Sequence, residues 1–124
     1  MDKILMSIGA LLAALAVGMG AFGAHGLKAH LSDEMMAVYK TAVDYHMYHA
    51  LGTLLIGILI KQYPSSLLMA WSGGLMVTGI LLFSGSLYLL CVTDMRWLGI
   101  VTPFGGLALI MAWFILLAGL WRDV

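Results

Sequence analysis

The stretch ILMSIGALLAALAVGMGAFGA, residues 4–24, contains only apolar or small side chains and no charge. An α-helix rises about 1.5 Å per residue, so this stretch is long enough to cross a bilayer core that is about 30 Å thick. Three more apolar segments of similar length follow at 45–63, 67–92 and 97–121. The sequence therefore predicts four membrane-spanning segments within a single membrane domain, residues 1–124.

The composition excludes an ordinary soluble domain. Hydrophobic residues make up 63% of the 124 residues and charged residues only 10%, which is too few to cover a water-facing surface. Backbone groups in hydrocarbon must be satisfied within the protein, and the alternating pattern of a β-barrel is absent, so the spans are expected to be helices. The predicted fold class is an all-α integral membrane protein. A net charge of zero provides no basic patch for nucleic acid.

The segment between the first two spans has its own pattern. Apolar residues recur every three or four positions from Leu27 to His46, and polar residues occupy the other face. This pattern predicts an amphipathic helix at about 32–44 that lies in the membrane interface. Ser32 is a typical N-cap residue for it. Because an unbroken helix over 33–62 would be about 45 Å long, we expect a bend or strong tilt at 44–49.

Four spans place both termini on one side of the membrane, which we call side A; the opposite side is side B. The positive-inside rule gives no orientation, because each side carries three cationic residues: Lys3, Lys61 and Arg122 on side A, and Lys28, Lys40 and Arg96 on side B. Side B has more acidic residues, which favours cytoplasmic termini only slightly.

Polar residues of all four spans fall at a similar depth near side B. Span order alone gives this result for His25, Tyr45, His46, His49, Ser84, Ser86, Tyr88 and Thr102. Polar side chains at membrane depth are costly unless they are paired or wetted. The sequence therefore predicts a polar cluster that either ties the helices together or lines a cavity for a ligand or ion.

Catalytic and metal sites are not expected. His46 and His49 have a spacing that suits metal binding, but no carboxylate or cysteine motif accompanies them, so we expect neither a metal nor another cofactor. Ser84 and Ser86 lack a nucleophile-elbow motif and an evident general base. The sequence therefore predicts that the protein is not an enzyme.

Small residues indicate close helix packing. One stripe follows the first span with a spacing of 4, 3, 4 and 3, which keeps it on one helix face: Gly9, Ala13, Ala16, Gly20 and Gly23. It packs inside the bundle, which we favour, or against another copy. Gly85, Gly105 and Gly106 are further packing candidates. Pro103 either begins a helix capped by Thr102 or kinks a helix that starts near Trp97.

Four motifs carry a family resemblance: GAFGAHGL at 20–27, YHMYHAL at 45–51, FSGSLYLL at 83–90 and VTPFGG at 101–106. In this order, across nearly the whole chain, they resemble the small bacterial membrane proteins of the DUF423, YgdD/YwdK-like family. The resemblance implies a four-helix protein of the bacterial plasma membrane and no particular reaction. The shared motifs map onto His25, Tyr45, His49, Ser84, Gly85, Tyr88, Pro103, Gly105 and Gly106.

Two functions are compatible with these residues. The first is a non-enzymatic membrane protein that acts through helix packing, membrane lipids, a second copy or an unidentified protein partner. The alternative is an oligomeric transporter or channel subunit in which His25 and His49 line a side B cavity. Histidine suits such a role because it changes charge near neutral pH.

Overall fold

The computed structural model describes residues 1–124 and contains only helices and turns. The bounds are α1 Asp2–Phe22, α2 Asp33–Gln62, α3 Leu67–Thr93 and α4 Thr102–Asp123, with a π-helical turn at Gly23–Leu27 and a 3-10 turn at Arg96–Ile100. All four helices are long and apolar enough to cross a membrane. The prediction of an all-helical chain with four long apolar helices is confirmed, and the limits of the spans within the bilayer stay predictions.

The helices pack in chain order. α1 packs on α2, α2 on α3 and α3 on α4, so that α2 and α3 are central while α1 and α4 form the edges. The apolar core is drawn mainly from α2, α3 and α4 and lies toward side A: Leu5, Ile56, Ile60, Met69, Met76, Ile80, Leu109, Ala112 and Leu116. The side B half is consequently held together by other means.

The separate interfacial helix predicted at 32–44 is not present. Residues 33–44 form the first turns of α2, which continues without interruption through 44–49. Ser32 does cap this helix, because its Oγ accepts a hydrogen bond from the Met35 amide at 3.2 Å. No proline interrupts 33–62, and the apolar side of the segment is buried in the bundle through Tyr39 and Ala42. Burial against other helices, rather than against lipid headgroups, explains the amphipathic pattern.

Pro103 adopts one of the two geometries considered. α4 begins at Thr102 with Pro103 in its first turn, and the preceding 3-10 turn is a separate element. The expected cap is wrong, since Val101 occupies the N-cap position and no side chain caps the helix. Thr102 is the first helical residue, and its hydroxyl is used in a contact with Ser86 on α3.

Glycines allow close backbone contact at the two outer helix interfaces, between α1 and α2 and between α3 and α4. A Cβ atom at Gly9 would lie 2.6 Å from the Leu54 amide nitrogen, and one at Gly105 would lie 2.7 Å from the Leu82 carbonyl carbon. Any larger side chain would therefore separate α1 from α2 or α4 from α3. The small stripe of α1 faces α2: Gly9, Ala16 and Gly23 are buried, and Ala13 and Gly20 are half-buried.

We predict opposite effects for two Gly→Ala substitutions. Gly105→Ala should lower the free energy of unfolding by about 1–3 kcal/mol, because its methyl group overpacks a backbone contact. Gly85→Ala is the matched control, since nothing lies within 4 Å of its added Cβ and alanine has the higher helix propensity. Reversible unfolding in mixed detergent measures both. Equal stability of the two variants would contradict a close α3–α4 contact.

Candidate functional site

A buried histidine–tyrosine pair joins α2 to α3 near side B. Nδ1 of His46 lies 2.9 Å from the hydroxyl oxygen of Tyr88, and His46 is only 5% exposed. The Tyr39 ring packs 5.5 Å from the Tyr88 ring, and the Tyr39 hydroxyl donates to the Met19 carbonyl on α1 at 2.5 Å. Three helices therefore meet through these aromatic side chains.

Serine and threonine hydroxyls link the same depth of the bundle to backbone groups. Ser84 donates to the Ala42 carbonyl at 2.7 Å, which connects α3 to α2. Ser86 lies 2.6 Å from the Thr102 hydroxyl on α4 and donates to the Phe83 carbonyl at 2.9 Å. Either hydroxyl can be the donor between Ser86 and Thr102, because the Thr102 hydroxyl also has a backbone acceptor, the Leu98 carbonyl at 3.4 Å. We call these two links and the His46–Tyr88–Tyr39 contacts the side B network.

His49 and Tyr45 lie beside the network without joining its hydrogen bonds. Nδ1 of His49 donates to the Tyr45 carbonyl at 2.7 Å, because a carbonyl oxygen only accepts. The His49 ring is 6.0 Å from the Trp113 ring of α4, and the Tyr45 ring stacks on Phe83 of α3 at 4.6 Å. Both predicted site residues therefore act as aromatic packing groups between helices.

The structure does not bring His25 into the network. His25 lies in the π-helical turn, is exposed and makes no hydrogen bond within the chain. Gly23 is the residue of this turn that faces α2, and it is buried beneath the Tyr39 ring. His25 follows α1 at the side B end of the bundle, its depth in the bilayer stays a prediction, and span order carries no information on its direction.

Several contacts in the side B half of the bundle could not be predicted from the sequence. The periodic pattern of 27–46 places Tyr39 on the apolar face, but it does not predict that the Tyr39 hydroxyl donates a hydrogen bond to the Met19 carbonyl. The Cys91 thiol is buried and contacts the Met35 carbonyl at 3.5 Å. Gly23, the last residue but one of the predicted first span, has no side chain and so leaves space for the Tyr39 ring.

The histidine, cysteine, acidic and serine side chains were compared with metal-binding and nucleophile–base arrangements. No group of three His, Cys, Asp or Glu side chains is placed to hold a metal ion. The Ser84 and Ser86 hydroxyls donate to backbone carbonyls and not to a histidine, so neither serine is paired with a base. Nε2 of His46 is buried and makes no hydrogen bond of ordinary geometry, although the Leu12 backbone of α1 lies beside the His46 side chain.

Two cavities lie near the network, and Tyr39 is the one network residue that lines either of them. The first, the α1–α2 groove, has a volume of about 470 Å³ and an apolar lining that includes Gly20, Gly23, Ala24, Tyr39 and Val43, with Lys40 and Asp44 beside them. The second, the side B cavity, has a volume of about 300 Å³ and a polar lining that includes His30, Ser32, Glu34, Cys91, Asp94 and Arg96.

Comparisons with known proteins place these residues in a family context. A family model described as "Protein of unknown function (DUF423)" matches residues 19–106, which contain most of the side B network. The chain is 44% identical to the UPF0382 membrane protein SH2409 of Staphylococcus haemolyticus, over 98% of both chains. It is 46% identical to the UPF0382 membrane protein YwdK of Bacillus subtilis, over 92% of this chain and 93% of that protein. No solved structure matches the chain.

We predict that removal of the Tyr88 hydroxyl weakens the bundle. Tyr88→Phe leaves both ring nitrogens of His46 without partners and should lower the free energy of unfolding by about 1–2 kcal/mol. Tyr48→Phe is the control, because Tyr48 is 60% exposed and makes no hydrogen bond. In the double variant His46→Leu/Tyr88→Phe the loss should be smaller than the sum of the two single losses. Strictly additive losses would show that the pair is not coupled.

Proposed function

The chain belongs to the DUF423 family of membrane proteins, and from this premise we propose that it is a non-enzymatic protein that acts through contact with membrane lipid. The proposal places it in a bacterial plasma membrane with both termini in the cytoplasm. The family description supplies no reaction, so the argument rests on how the polar and apolar surfaces of this chain are used.

The proposal rests on one observation, which is that the hydroxyl groups of the side B network are already hydrogen-bonded within the bundle. Ser84, Ser86 and Thr102 bond to backbone carbonyls or to each other across helix interfaces. Hydroxyls that are committed in this way are not available as nucleophiles or as ligands for a substrate. The two cavities near side B lie away from these residues, which supports a structural role for the network.

The α1–α2 groove is the surface that we assign to lipid. Only α1, its π-helical extension and α2 form it, so it opens away from the bundle toward the lipid. Its glycine and alanine lining leaves space for an extended apolar chain, and we propose that one phospholipid places an acyl chain there. Lys40 and Asp44, which pair at 2.9 Å, lie beside the groove and together carry no net charge. We therefore expect little selection among headgroups at this surface.

An oligomeric transporter or channel subunit is the second candidate. The unpaired Nε2 of His46 favours it, because a buried polar atom without a partner is costly and often serves a function. This candidate now depends on His46 rather than on His25, which faces outward. Four short spans rarely enclose a pathway, so several copies would be needed.

We predict that filling the groove removes the bound lipid. Native mass spectrometry of the gently extracted wild type should show a retained phospholipid, and Ala24→Phe should lose it, because the aromatic ring occupies the groove. Ala21→Phe is the matched control, since Ala21, in the last turn of α1, is exposed like Ala24 but does not line the groove. A bare wild-type protein, or equal retention by both variants, would contradict lipid binding; a dimer lost in Ala24→Phe would assign the groove to a second copy.

The two candidate functions predict different behaviour in liposomes. If the protein is non-enzymatic and acts through lipid contact, a pH gradient should drive the same proton flux into wild-type proteoliposomes as into protein-free liposomes. His46→Leu, which removes the unpaired nitrogen, should then change nothing. A wild-type flux that disappears in His46→Leu but persists in Tyr48→Phe would replace the first proposal with the second.

A further inference from the structure

The side B cavity gathers residues from four separate elements. His30 comes from the turn after α1, Glu34 from the start of α2, Asp94 from the end of α3 and Arg96 from the 3-10 turn. These residues are distant in sequence, so only the fold brings them to one cavity. The volume of about 300 Å³ is at the lower end of the range for small-molecule sites and suits a ligand of headgroup size.

The charged groups of this cavity lack partners within the chain. The molecule has three ion pairs, which join the N-terminus to Asp2, Lys40 to Asp44 and Arg122 to Asp123. None of them includes a residue of the cavity. The side chains of Glu34, Asp94 and Arg96 also make no intramolecular hydrogen bond, although charges of both signs line one space. The cavity thus presents two carboxylates and one guanidinium to whatever enters it.

We propose that the side B cavity binds a zwitterion in which a primary ammonium is joined to a phosphate. The planar guanidinium of Arg96 matches the oxygen geometry of a phosphate and can bind it through two hydrogen bonds. The carboxylates of Glu34 and Asp94 accept hydrogen bonds from an ammonium, which a quaternary amine cannot donate. The ligand class is therefore phosphoethanolamine-like: its single ammonium is shared by the two carboxylates, and its phosphate binds the guanidinium.

The surroundings of the cavity admit two sources of this ligand. Val92, Met95 and Trp97 are exposed apolar residues that alternate in sequence with Asp94 and Arg96. Tryptophan is typical of the boundary between lipid and water. The cavity therefore opens at a level that the headgroup of phosphatidylethanolamine reaches from the bilayer and that free phosphoethanolamine reaches from water.

The test uses the full-length protein in nanodiscs. In phosphatidylcholine nanodiscs, free phosphoethanolamine is titrated by calorimetry. In nanodiscs that also contain phosphatidylethanolamine, native mass spectrometry counts the retained lipid. Arg96→Gln and Asp94→Asn should each reduce affinity about tenfold or more, because each removes one charged partner of the ligand. Asp94→Asn preserves the backbone, since Asp94 has φ 54° and asparagine readily adopts this left-handed conformation.

Two neighbouring charges provide matched controls. Asp33→Asn and Lys28→Gln alter exposed residues close to the cavity that do not line it, and both should bind like the wild type. Retained phosphatidylethanolamine that is lost in Arg96→Gln but kept in the control variants, without binding of the free compound, identifies a membrane headgroup as the source. Binding of the free compound without such a lipid identifies a soluble ligand. If the protein neither retains the lipid nor binds the free compound, or if Arg96→Gln and the control variants bind equally, the proposal is overturned.

The test of the side B cavity and the test of the lipid-contact function can succeed or fail independently of each other. Ala24→Phe blocks the α1–α2 groove but lies outside the side B cavity, so it should leave phosphoethanolamine binding unchanged. If the groove proves empty, the cavity can still bind its ligand. If the cavity fails, the groove experiment retains its meaning.

Discussion

Close backbone contact between neighbouring helices is the constraint on which the rest of this structure depends. Lipid tails are as apolar as leucine, so helices in a bilayer gain little by hiding apolar surface from each other. Close van der Waals contact and hydrogen bonds must provide the association. Gly9 and Gly105 permit that contact at the two outer interfaces. The short Ser84 side chain spans the central interface directly, from α3 to the Ala42 carbonyl of α2.

The two halves of the bundle are stabilised differently. Toward side A, large apolar side chains such as Ile56 and Met76 make up most of the interior, with one buried hydrogen bond from Ser72 to the Ala112 carbonyl. Toward side B, directional bonds among hydroxyl, imidazole and carbonyl groups provide more of the contacts between helices. Hydrogen bonds specify the relative rotation of helices more strictly than apolar packing does, because they have narrow angular limits. The side B half is therefore the part in which helix positions are defined residue by residue.

The helices, and the positions of the polar residues along them, could be predicted from the sequence for a physical reason. Span length follows from bilayer thickness, and depth follows from counting residues along each span. The direction of a side chain does not follow from either quantity. His25 is exposed because it lies two residues after Gly23, so it is on the opposite side of the helix from the face that Gly23 packs against α2. The 32–44 segment shows a related ambiguity, since an interfacial helix and a helix buried on one side have the same periodicity. The side B cavity joins distant turns, and no periodic signal describes such contacts.

The chain order of the helix contacts has a consequence for biosynthesis. α1 and α2 form one helical hairpin, and α3 and α4 form another; each hairpin contains its own glycine contact, at Gly9 and Gly105. Each pair can therefore close as soon as its second helix has entered the bilayer. The α2–α3 interface, with Ser84 and the His46–Tyr88 pair, joins the two hairpins to each other. Insertion and folding thus divide into two local steps and one docking step. The Ser84 and His46–Tyr88 bonds belong to the docking step, whereas the Ser86–Thr102 link forms within the second hairpin.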